Sequence, residues 1–366
     1  MTGGTPRSAI AEVLQLATAY QGSRALHVAV RLGIPDLLAN GPRSVEELAA
    51  AADAHAPSLR RLLRALVAFE VLVEEADGRF GLGALGTCLC ASAPDSVSDL
   101  VTMWGDEDFW RTWSELEHSV RTGETAATHL FGTSNAFARY AADERLGKVF
   151  NAGMTALSAS VAAALVSSYD FSGVARVVDV AGGQGRLLVE ILRSNPRARG
   201  VLMDLPTVVT GAADLLRAAG IAERCEVVEG DMFATVPVGG DVYLLKSILH
   251  DWDDESALAI LRNCRRAMSD GARLLLVERV LPERVASGSN VRTLLLSDLN
   301  MLVRNGGRER TAAEFSALLG AAGLRLTQVI PTGTPFSVVE ALPVPRDAET
   351  VRQQGPMLAA GCGPHE

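Results

Sequence analysis

The sequence lacks several features that would indicate particular classes of protein. It contains only two lysines, Lys148 and Lys246, and its formal net charge is −9. So acidic a chain does not offer the broad basic surface that general nucleic-acid binding requires. Its 5 cysteines are scattered, and none lies in a Cys-x-x-Cys arrangement. This cysteine usage indicates reduced thiols, so we expect neither disulfides nor a bound metal. From the negative charge we expect no nucleic-acid partner.

Membrane and export signals are absent as well. No apolar run reaches the length of a membrane span, and residues 1–8 lack the basic-then-apolar layout of a signal peptide. We therefore expect a cytoplasmic protein without a membrane partner. With 366 residues, of which 48% are hydrophobic, the chain can bury a large core and is long enough for two domains or more.

The first part of the chain has the pattern of a winged helix. Apolar periodicity predicts helix over residues 9–40, and a capping box at Ser44–Glu47 starts the next helix. A third helix is predicted over Leu59–Phe69, followed by two short strands around an Asp-Gly turn at 77–78. We place this module at residues 9–98.

A winged helix can bind DNA or can serve as a scaffold. The DNA-binding hypothesis would place Arg60, Arg61 and Arg64 in the groove of a regulator that senses a small molecule. Residues 41–90 hold five arginines and seven acidic residues, so the module has no net positive field to attract phosphates. The sequence favours a scaffold or dimerisation module.

Residues 99–168 are predicted to be largely helical, as a linker that contributes to a substrate pocket. Three of the protein's 4 tryptophans fall within ten positions of one another. With the neighbouring phenylalanine, the group consists of Trp104, Phe109, Trp110 and Trp113. It is either a core cluster or the wall of a pocket for a flat aromatic ligand, and both interpretations stay open.

From Arg176 onward, strands and helices alternate, which predicts a doubly wound α/β domain over residues 169–343. Five strands are followed by two more, Arg325–Ile330 and Phe336–Glu340, whose short proline-containing link favours an antiparallel hairpin. The predicted sheet is therefore seven-stranded and mostly parallel. Residues 344–366 are polar and rich in Pro and Gly, and we expect an unordered tail.

The first strand of this sheet ends in a glycine turn. The β-branched residues Val177, Val178 and Val180 indicate a strand buried on both faces. Gly182, Gly183 and Gly185 allow a tight turn and the close approach of a ligand, and leucines at helical spacing follow. A strand, a glycine turn and a helix N-terminus together form a nucleotide cradle.

Ligands of open α/β sheets lie beyond the C-terminal ends of the strands. The later strand ends deliver Asp204, Asp231, Lys246, His250 and Glu278. Asp204, about 20 residues after the first strand, can accept both ribose hydroxyls. Asp231 precedes Met232 and Phe233, which suit the edge and face of an adenine. Each residue alone is a weak signal, but their occurrence at successive strand ends is specific.

The glycine turn also discriminates between cofactors. A dinucleotide fingerprint needs Gly-x-Gly-x-x-Gly, whose last glycine allows close helix packing. Here Gly183-x-Gly185 is followed at that place by Leu188, so the fingerprint is broken. The turn leaves room for an amino-acid tail instead of a pyrophosphate, which favours S-adenosylmethionine.

Five stretches in this order resemble the S-adenosylmethionine-dependent O-methyltransferases of the caffeate type, a class I, Rossmann-like methyltransferase family. They are Val178–Gly185, Asp204–Pro206, Gly230–Phe233, Lys246–Asp254 and Gly306–Thr311. The likeness covers roughly residues 10–342 and includes the winged helix, which forms an intertwined dimer in that family. It implies a homodimer, and its bacterial members act on natural-product phenols in secondary metabolism such as antibiotic biosynthesis.

The resemblance also implies a role for individual residues. His250 matches the catalytic base, Glu278 and Glu309 match its flanking acids, and Asp251 lies beside it. The implied cofactor residues are Ala181, Gly182, Gly183, Gly185, Asp204, Leu205, Asp231, Met232, Phe233, Lys246, Ser247 and Trp252. The expected acceptor residues are Phe150, Met154, Leu157, Met301 and Asn305, with Trp104 and Phe109 from the aromatic group. Ala181 departs from the family, which usually has a glycine there, although a backbone contact survives that change.

The implied chemistry agrees with these residue types. A phenol has a pKa of about 10, so at neutral pH it is a poor nucleophile until a base removes its proton. A histidine of ordinary pKa, about 6.5, can be neutral and act as that base, with a carboxylate to orient its ring. Transfer of the methyl group then needs mainly in-line SN2 positioning. We expect S-adenosylhomocysteine as the product and a small aromatic phenol as the acceptor.

Two alternatives remain open at this stage. A protein of the same fold and cofactor could methylate nitrogen, which needs less help from a base, or could catalyse decarboxylation or hydroxylation. The intact His250-Asp251 pair and both glutamates disfavour the last two reactions. The second alternative is the winged-helix DNA-binding regulator.

Overall fold

The protein is described by a computed structural model that covers residues 8–133 and 135–345. Most of the predicted tail, from residue 346 onward, lies outside the described residues. The N-terminal module contains α1 (Ala9–Arg31), α2 (Ile34–Leu38), α3 (Val45–Ala51), α4 (Ala56–Ala68), β1 (Leu72–Glu74) and β2 (Phe80–Leu82). Strands β1 and β2 pair antiparallel, and the Ser44–Glu47 capping box is present. Helix, turn, helix and hairpin are thus confirmed.

Six helices follow the winged module. They are α5 (Ser98–Gly105), α6 (Glu107–Ser114), α7 (Leu116–Thr122), α8 (Ala126–Phe131), α9 (Ala136–Ala142) and α10 (Glu144–Ser168). By length and composition α10 could cross a membrane, contrary to the expectation that no apolar run is long enough. Polar residues such as Thr155 and Ser158 interrupt its apolar run and hid it. Its buried residues Val161 and Leu165 pack against the sheet, while only 22% of its apolar stretch is buried in the single chain.

The C-terminal part begins with three strands joined by helices. It contains β3 (Arg176–Val180), α11 (Arg186–Ser194), β4 (Arg199–Asp204), α12 (Pro206–Val209), α13 (Ala212–Ala218) and β5 (Cys225–Glu229). The segment between β4 and β5 forms two helices, which are interrupted at Gly211. A Cβ at Gly211 would lie 2.5 Å from the Gln184 side-chain nitrogen, so the break lets the helix pair pass close to the glycine turn.

The remaining elements complete the sheet. They are β6 (Val242–Lys246), α14 (Asp254–Ala267), β7 (Arg273–Glu278), β8 (Val280–Leu281), α15 (Ser289–Arg304), β9 (Arg310–Thr311), α16 (Ala312–Ala321), β10 (Leu324–Pro331) and β11 (Ser337–Pro343). The seven strands lie in the order β10-β11-β7-β6-β3-β4-β5. Strands β3 to β7 pair parallel, and β11 pairs antiparallel with β7 and β10. The doubly wound, mostly parallel sheet is confirmed; the parallel pair β8–β9 was not predicted.

Alternation along β3 explains why helices cover both faces of the sheet. Val177 points to a cluster that includes residues of α10 and α11. Val178 and Val180 point to the opposite cluster, which includes residues of α14 and α16. A strand buried on both sides is apolar at most positions, as in parallel sheets, and the exception in β3 is the buried Asp179. Because β3 to β7 run parallel, their C-terminal ends share one edge of the sheet.

Candidate active site

The glycine turn after β3 is fixed by a carboxylate from the next strand. The backbone N–H of Gly183 donates to Asp204 Oδ2 at 2.8 Å, and that of Leu205 donates to Asp204 Oδ1 at 2.7 Å. Burial raises the pKa of Asp204 to about 6, although both N–H groups oppose the shift. Ala181 has a φ of +53°, a conformation that costs a non-glycine residue about 1–2 kcal/mol. Its φ accounts physically for a glycine at this position in the family.

Asp179, in the middle of β3, is a residue that the sequence reasoning missed. Its side chain is buried, and its Oδ2 has no hydrogen-bond partner in the part of the chain that the structure describes. Burial raises its pKa to about 7, while the charge of Lys246 opposes the rise. A Cβ at Gly182 would lie 2.5 Å from this carboxylate. An acid interrupting an apolar strand was the available signal.

The turn after β5 brings the predicted adenine residues to the same edge. Asp231 is exposed, and its Oδ1 accepts a hydrogen bond from the Phe233 N–H at 2.8 Å. The Met232 carbonyl accepts from Asn263 at 2.7 Å. Phe233 meets the ring of Trp252 edge-on, with centroids 4.7 Å apart. Phe233 and Trp252 therefore form a corner at one end of the site.

Lys246 ends β6 in the interior of the protein. Its Nζ donates to the hydroxyl of Ser247 at 3.2 Å. Burial lowers the pKa of Lys246 to about 8, and the Arg279 guanidinium adds to the fall. Ser247, also buried, has a φ of +55°. Two residues in the left-handed region, Ala181 and Ser247, thus follow adjacent strands of the site, where such strain commonly concentrates.

His250 lies in a short turn after β6, and three carboxylates surround it. Its Nδ1 lies 3.0 Å from Glu309 Oε1 and 3.8 Å from Glu278 Oε2, and its Nε2 lies 3.7 Å from Asp251 Oδ1. Glu278 Oε1 accepts from the N–H groups of Ile248 and Leu249, both at 2.9 Å. Glu278 thus holds the turn, whereas Glu309 directly engages the ring.

These surroundings change the proton affinity of His250. Burial lowers its pKa, but the charges of Glu309, Asp251 and Glu278 outweigh burial and raise the pKa to about 9. The same cluster lowers the pKa of Glu309, against its burial, mainly through the charge of His250. The sequence reasoning started from an ordinary histidine pKa, because spacing in sequence does not reveal the three charges that raise it.

Glu309 has further partners that the sequence reasoning did not identify. Ser297 Oγ donates to Glu309 Oε1 at 2.6 Å, and Asp298 Oδ1 accepts from the Glu309 N–H at 2.9 Å. Arg279 Nη1 lies 3.7 Å from the same Oε1. Both Ser297 and Asp298 lie on α15, so this helix positions Glu309, which in turn contacts His250.

The loop before Glu309 packs directly on the His250 turn. A Cβ at Gly307 would overlap the His250 carbonyl oxygen and the Trp252 nitrogen, so only glycine fits there. The buried side chain of Arg310 donates to the carbonyls of Leu249 and Trp252 at 2.7 and 2.9 Å. The glycine and the arginine therefore fix the two segments against each other.

We call the turns that follow β3 to β7 the cofactor side, and the helices α6, α9, α10 and α15 that face them the acceptor side. On the acceptor side Phe150 stacks on Tyr140, with centroids 4.4 Å apart. Phe137 meets Phe150 edge-on and stacks on Trp252 at 5.8 Å. These contacts join the two sides. Phe137 and Tyr140 were missed, because their three-residue spacing is common to many helices.

Of the other predicted acceptor residues, all but Trp104 lie on or next to the helices of the acceptor side. Phe109 is buried and packs with Phe150 and Leu157. Asn305 donates to Asp251 Oδ1. Met154 lies half-buried on α10, and Met301 is buried on α15. These residues lie on the elements that form the acceptor side.

The aromatic group of α5 and α6 does not form one cluster, and Trp104 is not brought to the site. Among the described residues, its four rings make no ring-to-ring contact with one another. Trp104 is 51% exposed in the single chain, Trp110 lies under Arg24, and Trp113 donates to Asn300 at 3.0 Å. Proximity in sequence did not give contact because Trp104 lies on α5 and the other three rings on α6, where each of the three contacts a different partner.

A buried ion network ties the acceptor-side helices together. Arg304 on α15 donates to Asp108 Oδ2 at 3.0 Å and also to the Tyr140 hydroxyl. Arg139 on α9 pairs with the other oxygen of Asp108. The Arg304 guanidinium lies 3.5 Å from the centre of the Phe109 ring. One carboxylate thus joins α6, α9 and α15.

Comparison with known proteins gives this arrangement a family. The O-methyltransferase domain family matches residues 113–325, and the O-methyltransferase dimerisation domain family matches residues 14–92. The phenazine O-methyltransferase PhzM of Lysobacter antibioticus is 44% identical over 342 residues, which are 93% of this chain and 98% of that protein. The mitomycin biosynthesis 6-O-methyltransferase of Streptomyces lavendulae is 41% identical over 87% of this chain and 90% of its own length.

A solved structure shows the same fold with ligands bound. It is that of the O-methyltransferase NcsB1 from neocarzinostatin biosynthesis, in complex with S-adenosylmethionine and 2-hydroxy-5-methyl naphthoic acid. It is 33% identical to this chain, with a TM-score of 0.71, and the match covers 88% of this chain and 96% of that one.

Proposed function

We propose a reaction for this chain on the premise that it belongs to the S-adenosylmethionine-dependent O-methyltransferase family of natural-product biosynthesis. The acceptor is a phenolic hydroxyl of a small aromatic molecule, and His250 is the general base. The observation that carries this proposal is the buried His250, with Glu309 on Nδ1 and Nε2 left for the acceptor.

The residues of the cofactor side fit S-adenosylmethionine. A side chain at Gly182 would collide with Asp179 and Leu202, and Gly183 has a φ of +64°, which favours glycine. Asp204 keeps acceptor capacity for ribose hydroxyls. The unpartnered oxygen of buried Asp179 suits a cationic group such as the amino group or sulfonium of the cofactor. The residues that would hold the cofactor are those of the cofactor side, Ala181, Gly182, Gly183, Gly185, Asp204, Leu205, Asp231, Met232, Phe233, Lys246, Ser247 and Trp252.

When bound, S-adenosylmethionine supplies the methyl group for in-line displacement by the acceptor oxygen. Because a phenol has a pKa of about 10, removal of its proton is the part that needs a base. His250 Nε2 takes that proton, since Nδ1 is engaged by Glu309 at 3.0 Å. Glu309 stabilises the imidazolium that forms, as the carboxylate of other His–acid pairs does.

The raised pKa of His250 gives this reaction a direction of pH dependence. The base must be neutral to act, so activity increases as pH rises through the pKa of His250, which is about 9 without cofactor. A cation nearby disfavours a second positive charge. Cofactor binding therefore lowers this pKa and moves the active range towards neutral pH.

The replacement His250→Gln tests the base. It keeps a hydrogen-bonding side chain of similar size, so we expect the variant to fold and to bind cofactor like the wild type in calorimetry. We expect turnover to fall by about 10²–10⁴-fold, measured with labelled cofactor and a panel of phenols and arylamines read by mass spectrometry. The matched control is the exposed His55→Gln, which should retain full activity.

Three results would change the assignment. Wild-type rates of His250→Gln on a phenol would remove the base role. Wild-type rates of both proteins on an arylamine, without turnover of any phenol, would favour nitrogen as the acceptor, because N-methylation needs less help from a base. Cofactor binding without methyl transfer to any member of the panel would contradict the proposed phenol acceptor.

We also propose that α1 mediates a homodimer. Its side chains Ile10, Val13, Leu14 and Leu16 are 60–74% exposed in the single chain, and the dimerisation domain family matches this region. A groove of about 510 Å³ beside it is lined mostly by apolar side chains of α1 and α4. So large an apolar surface is typical of a protein–protein interface. Sedimentation would measure whether the protein is a dimer in solution, and a monomer would contradict the proposal.

A further inference from the structure

A cluster of two histidines and one glutamate lies on the α7–α8 hairpin, outside the site described above. Helix α7 ends at Gly123, with a φ of +75°, and α8 ends at Gly132, also at +75°. The Thr125 side chain caps α8 by accepting a hydrogen bond from the Thr128 N–H at 3.0 Å. The hairpin is thus fixed by its own turns, and the side chains it carries are held close together.

The three side chains are His118, Glu124 and His129. His118 Nε2 lies 2.9 Å from Glu124 Oε2, and the two imidazole rings stack with centroids 4.0 Å apart and planes at 22°. One donor atom from each residue lies within 4.8 Å of the other two. Glu124 and His129 are exposed and His118 is half-buried, so an ion has direct access from solvent.

We propose that this hairpin binds a divalent transition-metal ion of the zinc, cobalt, nickel and copper class. Imidazole nitrogens suit these ions, whereas calcium and magnesium prefer oxygen ligands only. Ligand bonds of about 2.0–2.2 Å require donor atoms to lie closer together than the separations of up to 4.8 Å found here. Because a metal ion lies in the plane of each imidazole ring that binds it, the stacked rings must turn out of their present arrangement on binding, which the exposed position of His129 allows. Three protein ligands leave the fourth position to water.

The position of the hairpin gives the ion a structural consequence. A Cβ at Gly306 would lie 3.3 Å from Thr125 Cγ2, so the hairpin turn packs against the loop that leads to Glu309. The next residue, Gly307, packs on the His250 carbonyl. An ion that joins α7 to α8 therefore stiffens a support of the loop that carries Glu309.

The test uses the full chain without a histidine tag, titrated with Zn²⁺ by calorimetry and with Co²⁺ by visible absorption. We expect one ion per chain, with cobalt bands typical of nitrogen and oxygen ligands. His129→Gln removes one ligand from an exposed position and should leave the fold intact by circular dichroism. Its affinity for Zn²⁺ should fall by about 100-fold or more, since even outer-sphere partners are worth about 10–100-fold.

Two control variants separate this site from others. His55→Gln removes an exposed histidine elsewhere, and His250→Gln removes the histidine of the buried group that includes Glu278 and Glu309, whose donor atoms also lie within 4.8 Å. Both should bind Zn²⁺ like the wild type. The proposal is overturned if the wild type shows no saturable binding, if His129→Gln binds equally well, or if His250→Gln alone abolishes binding.

Discussion

The cofactor side and the acceptor side are held in place by different kinds of contact. On the cofactor side, carboxylates accept hydrogen bonds from backbone N–H groups of nearby turns, as Asp204 does from Gly183 and Leu205. On the acceptor side, side chains from distant helices contact one another, as Arg304 does with Asp108, 196 residues away. Backbone geometry fixes the first, whereas tertiary packing fixes the second.

This difference predicts where each side is vulnerable. A tight turn packed on buried side chains is sensitive to added volume, because its buried neighbours have no space into which they can move. A network fixed by buried charges is sensitive to loss of one charge, because the remaining charges stay buried without compensation.

The largest effect is expected from breaking the acceptor-side network with Asp108→Asn. The change leaves the buried guanidinium of Arg304 and that of Arg139 without their shared counter-charge. We expect the free energy of unfolding to fall by about 3–5 kcal/mol, as measured by urea denaturation. Where the variant folds, acceptor KM should rise more than the cofactor Kd.

Glu117→Gln is the matched control, since it removes one carboxylate from an exposed pair with Arg121 that is worth about 0–1 kcal/mol. If Asp108→Asn cost no more than this control, the network would not hold the acceptor side.

A smaller effect is expected from crowding the cofactor side with Gly182→Ala. The new methyl group would lie 2.5 Å from the Asp179 carboxylate and 2.7 Å from Leu202 Cδ1. Overpacking of this kind costs about 1–3 kcal/mol, and we expect cofactor affinity in calorimetry to fall with it. Gly271→Ala is the control, because nothing lies within 4 Å of its Cβ position. Equal cofactor affinity in both variants would contradict the crowding argument.

The smallest effect is expected from Ser297→Ala, where the acceptor-side helix α15 meets the His250–Glu309 pair. Loss of its hydrogen bond raises the pKa of Glu309, which this bond lowers. A more basic Glu309 stabilises the imidazolium, so the rise of the pH–rate profile moves to higher pH. A hydrogen bond worth about 1 kcal/mol gives a shift of less than about one pH unit.

Ser297→Thr, which keeps the hydroxyl, should restore the wild-type profile. A profile that does not move in Ser297→Ala would show that Ser297 acts on neither Glu309 nor His250. A move to lower pH would contradict the predicted direction.

The cofactor side could be predicted from the sequence because its residues follow strands directly. A strand of known direction fixes where its last residue lies, which is why Asp204, His250 and Glu278 could be placed at one edge of the sheet. The helical break at Gly211 escaped prediction, since it depends on contact with Gln184. Local sequence patterns predict the path of the backbone, but they do not predict contacts between segments that are distant in sequence.

The acceptor side could be predicted only in part. Phe150 and Met301 were placed through family resemblance, whereas Phe137, Tyr140 and Arg304 carry no local signal. Trp104 shows the opposite error, because an aromatic residue near others in sequence lies on the surface. The pKa of His250 was missed for the same reason: Glu309 reaches it from 59 residues away.

The burial of His250, whose exposed fraction is 6%, bears on how a catalytic cycle ends. A proton that Nε2 takes from an acceptor has no direct exit to bulk water while the pocket is filled. Departure of the methylated product would open that exit, so the chain would discharge the proton and the product in the same event. The rate of turnover would then be set by the opening of the acceptor side, which would release the proton together with the product.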